Sequence, residues 1–383
     1  MKIAIISDVF YPHIGGVEKR YYEIAKRLAK KHSVQVFTMQ FPNTKRLEAI
    51  DNIKIFRFHR IKNLYFNKKR KVSPAILFSI KLFFKLFRKN FDIIECNSTP
   101  YFPCFTCKLI SIIKRIPLSI TYHESWGNYW YEYLGFLGVF GRIIELLTVK
   151  LTKNLIAVSN FTKNLLAQQF KIDIKDIKTI PNGVNLKTIN NLRVKKDLNK
   201  IIFIGRLNPE KNVDILIHSF SKVVEKFPEK ELYILGEGIE YKRLKKITKE
   251  LDIVDKVKFL RFFEKESDVL KFIKSGAIFV SPSRREGQGI ACLEAMAAST
   301  PVITAKYPFN AMCNIIKNNQ TGIISKANSE SISNSIIKII SNKKLYERIC
   351  QESYSYSKKF DWHIITNKLI KYYFNSINRR SKD

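Results

Sequence analysis

The chain has 383 residues, too many for one hydrophobic core and about the right number for two domains of ordinary size. Its 45% hydrophobic and 13% aromatic content excludes a disordered polypeptide; its six scattered cysteines (Cys96, Cys104, Cys107, Cys292, Cys313, Cys350) exclude a disulfide scaffold and are read as reduced and structural. The net charge of +35 is shared by both halves, so it is no basic tail but a whole surface that seeks phosphate on nucleic acid, anionic lipid or substrate.

In chain order, short runs rich in Ile and Val alternate with longer amphipathic segments, the βαβ rhythm of a parallel sheet. Strands are expected at 2–6, 33–38, 53–58, 93–96, 118–122 and 155–158, then at 201–204, 231–235, 257–259, 278–281 and 302–304. Helices are expected between them, among them 17–31, 213–226 and 241–251. A proline and an Asn-Gly pair at Ile180-Pro181-Asn182-Gly183 mark the seam. The expected domains are 1–180 and 181–360, with a C-terminal helix over 361–383 returning to the first. Met1-Lys2 runs straight into a strand, and charges interrupt every apolar stretch before about 18 residues, so neither a signal peptide nor a transmembrane span is expected.

Three segments carry chemistry. Gly15-Gly16 follows the first strand and opens a helix, where backbone amides can approach an anion; the same pair also suits a tight turn. After the first strand of the second half comes Gly205-Arg206-Leu207-Asn208-Pro209-Glu210-Lys211, with two cations five residues apart at the carboxyl end of a parallel sheet. They suit a pyrophosphate, or are two solvated surface charges. The most informative stretch is 281–297, where a strand ends at Ser281, Glu286 sits in a loop holding Gly287 and Gly289, and a helix opens near Gln288 with Glu294 inside it. Free amides about Gly289 and Ile290 can hold phosphate oxygens, one glutamate can accept from sugar hydroxyls, and the other from a ribose diol. Gly236-Glu237-Gly238 lacks the third glycine of a dinucleotide fingerprint.

Asn182-Gly183-Val184, the Gly-Arg-Leu…Pro-Glu-Lys-Asn segment, and Glu-Gly-x-Gly…Leu-Glu-Ala-Met-Ala followed by Pro301-Val302-Ile303 resemble retaining glycosyltransferases of family 4. The resemblance runs from Gly15-Gly16 to Asp361-Trp362 and implies an α/β chain of the GT-B class, two Rossmann-like doubly wound domains facing a central cleft. By it, Arg206 and Lys211 hold the donor diphosphate and Gly205 belongs to their loop. Glu286 touches the transferred sugar, Glu294 the ribose, and Gly289 and Ile290 with Gly16 cradle the phosphates. His123, at a strand end in Thr-Tyr-His-Glu, matches the family's histidine beside the sugar. Members often carry Phe or Tyr where this chain has Gln288, which alters the expected pocket shape. The implied substrates are a nucleotide-sugar donor and a glycan or lipid-linked acceptor. No cofactor is expected, and no metal, since no Asp-x-Asp is present.

The acceptor side is expected on the first domain. There, twelve basic residues and no acidic one stand between Asn52 and Phe91. The run Lys68-Lys69-Arg70-Lys71 precedes a helix opening at Ser73-Pro74, in which Ile76, Leu77, Ile80, Phe83, Phe84 and Phe87 are apolar and Lys81 and Lys85 share a face with Arg88 and Lys89. This pattern suits either a grip on anionic lipid, placing the protein peripherally on the inner face of the cytoplasmic membrane, or a sheet-covering helix with a solvated face. The aromatic segment 126–131 suits stacking on a sugar, contact with a lipid chain, or a core. Two rivals are a nucleic-acid-binding protein, which leaves the glutamate pair unexplained and for which no reading module is present, and another GT-B activity such as a nucleotide-sugar epimerase.

Overall fold

The computed structural model describes residues 1–13, 15–66 and 69–380, which form two α/β units. One comprises Met1–Asn182 and the chain from Trp362 onward; the other is Gly183–Asp361. In the first, the strands are β1 (Lys2–Ile6), β2 (Ser33–Gln40), β3 (Leu47–Ile50), β4 (Ile53–Arg60), a short antiparallel pair β5 (Tyr65–Phe66) and β6 (Lys69–Arg70), β7 (Ile93–Asn97), β8 (Leu118–Tyr122), β9 (Leu155–Ala157) and β10 (Ile177–Thr179). The main sheet runs β10-β9-β8-β7-β1-β2-β4-β3, parallel except where β3 pairs antiparallel with β4.

In the second unit the strands are β11 (Asp197–Ile204), β12 (Glu231–Leu235), β13 (Val257–Leu260), β14 (Gly276–Ser281), β15 (Arg285–Glu286), β16 (Val302–Ala305), β17 (Phe309–Asn310) and β18 (Ile323–Ser325). Six of them make a parallel sheet in the order β13-β12-β11-β14-β16-β18, while β15 and β17 pair with each other.

Ladder positions alternate between two cores, which explains the unbroken apolar runs. Ala4 and Ile6 of β1 face one core, Ile3 and Ile5 the other. In β11, Ile201 and Phe203 face one side, Ile202 and Ile204 the opposite. Each sheet is filled outward in one direction and then in the other, so the order reverses between β1 and β7 and between β11 and β14. At such a reversal the connections leave on opposite faces and open a crevice beyond the carboxyl ends of the strands. All six cysteines are free. Among the described residues no helix is long and apolar enough to cross a membrane.

The last helix, Trp362–Arg380, packs into the first unit, where Trp362, Ile365, Leu369 and Tyr373 join Ile3, Ile5, Tyr21 and Ile24 in one core. Trp362 is 0% exposed. Replacing Trp362 by Ala is expected to cost about 3–5 kcal/mol of stability through the cavity it leaves. A chemical denaturation curve followed by circular dichroism measures this; a loss below about 1 kcal/mol would show that the helix contributes little to that core.

Candidate active site

The crevice of the second unit is built from the loops after β11 and β14. The first leaves the sheet at Gly205, whose amide donates to the Leu235 carbonyl at 3.1 Å. Gly236 lies so close that a Cβ there would stand 1.9 Å from the Gly205 carbonyl oxygen, and one at Gly238 would stand 2.3 Å from that of Leu207. These glycines therefore serve close backbone approach between two loops. A 3-10 turn over Pro209–Lys211 then delivers the lysine side chain, and Asn212 follows in the left-handed conformation.

The two loops are tied across the reversal point by three bonds. The Arg284 amide donates to the Glu210 carbonyl at 2.8 Å, and Asn212 Nδ2 donates to the Pro282 carbonyl at 3.3 Å. Between them Lys211 Nζ donates to Glu286 Oε2 at 2.6 Å, with the two side chains 18% and 21% exposed. The sequence places Lys211 and Glu286 in separate roles; the structure joins them in one ion pair at the crevice. Arg206 lies on the same loop with its side chain exposed.

Glu286 is held by β15, whose pairing with β17 sets Arg285↔Phe309 and Glu286↔Asn310. Arg285 is buried with its guanidinium 5.1 Å from the Phe309 ring centroid. Gly289 adopts φ +78°, and a Cβ there would meet Met312 Cγ at 2.9 Å, so only glycine fits this turn into the helix Ile290–Ala297. Gly289 brings no side-chain cap to that helix, which leaves the first-turn amides about Ile290 to other acceptors. Glu294 is buried within the helix, and Gln288 is buried beside its start. Burial first, then the charge of Glu286, pushes the Cys292 thiol up, so it is no nucleophile.

In the first unit, Gly15 precedes and Gly16 begins the helix Gly16–Leu28, after β1 at that sheet's own reversal point. Four residues on, Arg20 is buried; its Nη1 donates to the Pro181 carbonyl at 2.7 Å and to Asn182 Oδ1 at 3.2 Å. His123 follows β8, its ring edge-on to Tyr21 at 5.9 Å between centroids, with Nε2 enclosed and without a hydrogen-bond partner. Burial first, and then the Arg20 charge, hold its pKa down at about 3. The aromatic segment that follows packs on itself, Trp126 and Trp130 standing 4.6 Å apart. Buried Glu145, which no sequence motif marks, accepts from the Trp126 and Gly127 amides and from Trp130 Nε1, all at 2.9 Å.

The cationic run is divided. Lys68 lies outside the described residues, as does the side chain of Lys69. Arg70 turns inward to an ion pair with buried Asp8, so it is not part of an outward-facing patch; 62 residues separate the partners, too far for sequence to pair them. Lys71, Lys81 and Lys85 are exposed. The helix Ser73–Phe87 buries Phe78, Leu82 and Leu86 and leaves Leu77, Ile80, Phe84 and Phe87 exposed in one stripe. A second apolar surface, absent from the sequence reading, stands at Phe136 (86% exposed), Leu137 and Phe140. Among the described residues no group of three or more His, Cys, Asp or Glu side chains stands where it could hold a metal ion.

Two Rossmann-like units, the second bearing a cationic, glycine-turned crevice at its strand reversal, make the GT-B architecture of glycosyltransferases. Known proteins agree. Residues 185–356 match the family model "Glycosyl transferases group 1", and residues 14–188 match "Glycosyltransferase Family 4". Among solved structures, sucrose-phosphate synthase of Thermosynechococcus elongatus superposes with a TM-score of 0.77 at 19% identity, covering 98% of each chain. HepE of Anabaena, in complex with UDP and glucose, gives 0.76 at 18%, covering 97% of this chain and 98% of that one. In sequence, the phosphatidyl-myo-inositol mannosyltransferase of Mycobacterium leprae is 24% identical over 97% of this chain and 96% of its own. The alpha-monoglucosyldiacylglycerol synthase of Streptococcus pneumoniae is 23% identical over 85% and 75%. The chain belongs to the family 4 glycosyltransferases and is an enzyme that transfers a sugar.

The depressed His123 pKa carries a pH dependence with a definite sign. Unfolded, the imidazole takes a proton near pH 6.5; folded, it does so only near pH 3. Between those values the unfolded chain binds more protons, so stability falls as pH drops below about 6.5. The His123→Gln variant is expected to show a flatter loss of melting temperature between about pH 6 and 4. An imidazole 15N shift typical of the charged ring at about pH 5 would refute the assignment.

Proposed function

We propose that this enzyme moves a hexose from a nucleoside-diphosphate sugar, with retention of anomeric configuration, to a glycan or lipid-linked acceptor at the inner face of the cytoplasmic membrane. The observation that carries the reading is the Lys211–Glu286 pair at 2.6 Å, bridging the two loops at the strand reversal. A donor diphosphate brings negative charge that competes with Glu286 for the Lys211 ammonium. As Lys211 turns to the phosphates, Glu286 is released to accept from the hydroxyls of the transferred sugar.

The chemical step breaks the anomeric C–O bond and moves charge onto the departing diphosphate. Catalysis then requires positive charge already in place on that leaving group. Arg206, Lys211 and the amides about Gly289 and Ile290 supply it on this chain, and Glu294 holds the ribose. On the first unit, the family resemblance assigns neutral His123 to the sugar and the amides about Gly15 and Gly16 to the phosphates. The acceptor attacks on the face that the diphosphate leaves. The reading is supported by relatives named as an alpha-monoglucosyldiacylglycerol synthase and a phosphatidyl-myo-inositol mannosyltransferase, both lipid-directed names, and by a structural neighbour in complex with UDP and glucose. The exposed Leu77, Ile80, Phe84 and Phe87 beside Lys81 and Lys85 support a membrane-facing acceptor side.

Glu286→Gln and Arg206→Ala are each expected to lose about 2–4 kcal/mol of transition-state stabilisation, roughly a thirtyfold to thousandfold fall in turnover, with the fold intact. Acceptor-dependent release of nucleoside diphosphate measures it, and normal turnover by both variants would overturn the site. Activity is also expected to survive EDTA, because side-chain cations and backbone amides neutralise the leaving group; complete loss restored by Mg2+ or Mn2+ would reveal a required metal.

A further inference from the structure

A cationic concavity lies in the first unit, lined by none of the residues assigned above to the donor. Its volume is about 340 Å³, near the lower limit of small-molecule pockets, and His59, Arg60, Lys62, Lys71, Ser73 and Leu77 line it. Its shape comes from an irregularity at the end of β4. The register with β2 passes from Met39↔Phe58 to Gln40↔Arg60, so His59 is bulged out of the ladder, and it takes φ +59°. A bulge of this kind bends the strand and re-aims the side chains after it. The chain then turns back, with the Ile61 amide donating to the Gln40 carbonyl and the Lys71 amide to the Leu64 carbonyl, at 2.8 and 2.9 Å. The bulge and these two bonds shape the backbone around the cup.

Among the described residues no acidic side chain lines it, and Arg60, Lys62 and Lys71 are exposed at its walls. Burial first, and then the charge on Lys81 of the neighbouring helix, hold the His59 imidazole below its ordinary pKa. One wall is the start of the helix Ser73–Phe87, and Leu77 on the rim begins the exposed stripe continued by Ile80, Phe84 and Phe87. A cationic cup that opens onto an apolar track matches a molecule with a phosphate at one end and a hydrocarbon chain at the other.

We propose that this concavity binds the phosphate headgroup of a single anionic lipid, with the acyl chain lying along Leu77, Ile80 and Phe84. The lipid is an anchor, not a reactant, and its site is stoichiometric where general attraction to a charged surface is diffuse. The inference rests on the membrane-facing reading of the acceptor side.

The test uses the full chain and two variants that each remove three positive charges. One is Arg60→Gln with Lys62→Gln and Lys71→Gln, in the cup; the other is Lys85→Gln with Arg88→Gln and Arg115→Gln, outside it. Soluble dihexanoyl phosphatidic acid is titrated calorimetrically, and binding to phosphatidylglycerol vesicles is measured by sedimentation. The expected result is saturable one-to-one phosphatidate binding that weakens about tenfold or more in the cup variant and less than about threefold in the other. Equal losses in both variants would leave the membrane reading standing and overturn the cup. Inorganic phosphate competing as well as the lipid probe would make it a free-phosphate site and overturn the lipid assignment. If the vesicles are ignored while one-to-one binding and its selective loss persist, the cup stands and the membrane reading falls. Unchanged melting curves for both variants ensure that lost binding is not lost fold.

Discussion

The crevice of the second unit depends on the contact between Lys211 and Glu286. Each residue comes from a different loop, and the loops leave the sheet on opposite sides of the strand reversal between β11 and β14. Two backbone-level ties, from Arg284 to Glu210 and from Asn212 to Pro282, bring the loops to within reach, and the ion pair completes the span. A pair about one fifth exposed contributes little net stability, because the cost of removing both charges from water offsets most of their attraction. Its value lies in holding a cation and a carboxylate in a fixed relation where an anionic, hydroxyl-rich donor would exchange with both. Gly236 and Gly289 serve the same end from either side, one by letting the loop after β12 lie against Gly205, the other by turning the chain sharply into the helix at Ile290.

The sheets were largely legible from sequence, because a strand buried on both faces must be apolar at every position. β1, β8 and β12 stand as the pattern places them, and the other expected strands differ by up to four residues at their ends, while the three-residue strands β10 and β18 at the sheet margins were not expected. β3 escaped, because Leu47–Ile50 is an edge strand with alternating exposure and includes Glu48. The two-residue strands β15 and β17 are too short to leave any periodic signal, yet they orient Glu286. The motif around Glu286 and Glu294 identifies which residues gather at the crevice, but not that Lys211 and Glu286 pair. Pairing across 75 positions is a property of topology, and local sequence is silent about it. Arg70 illustrates the converse: within a run of four basic residues it reads as surface charge, and only the fold brings buried Asp8 beneath it.

The helix Ser73–Phe87 shows why composition alone divides apolar residues poorly. Its six buried positions include Phe78, Leu82 and Leu86, spaced to face the sheet, while an equally apolar stripe faces outward. Both stripes follow the helical period, so periodicity finds each and cannot tell which one the core takes. Lysines flank the outward stripe, and an interface between water and lipid accommodates that pairing better than either phase alone. The exposed Phe136, on a 3-10 turn, and Phe140, on the helix Gly138–Val149, add apolar surface elsewhere on the same unit.

The return of the final helix has a consequence for how the protein is made. The core that contains Ile3, Ile5, Tyr21 and Ile24 also contains Trp362, Ile365, Leu369 and Tyr373, so the ribosome must deliver almost the whole polypeptide before that core can close. The second unit, by contrast, is one continuous stretch, Gly183–Asp361, and all its strands are available earlier. The unit that begins the chain is therefore the last to be completed. Until then, that face of its parallel sheet is covered only in part, by the helix Gly16–Leu28, and a translation stop shortly before residue 362 yields a finished second unit joined to an unfinished first.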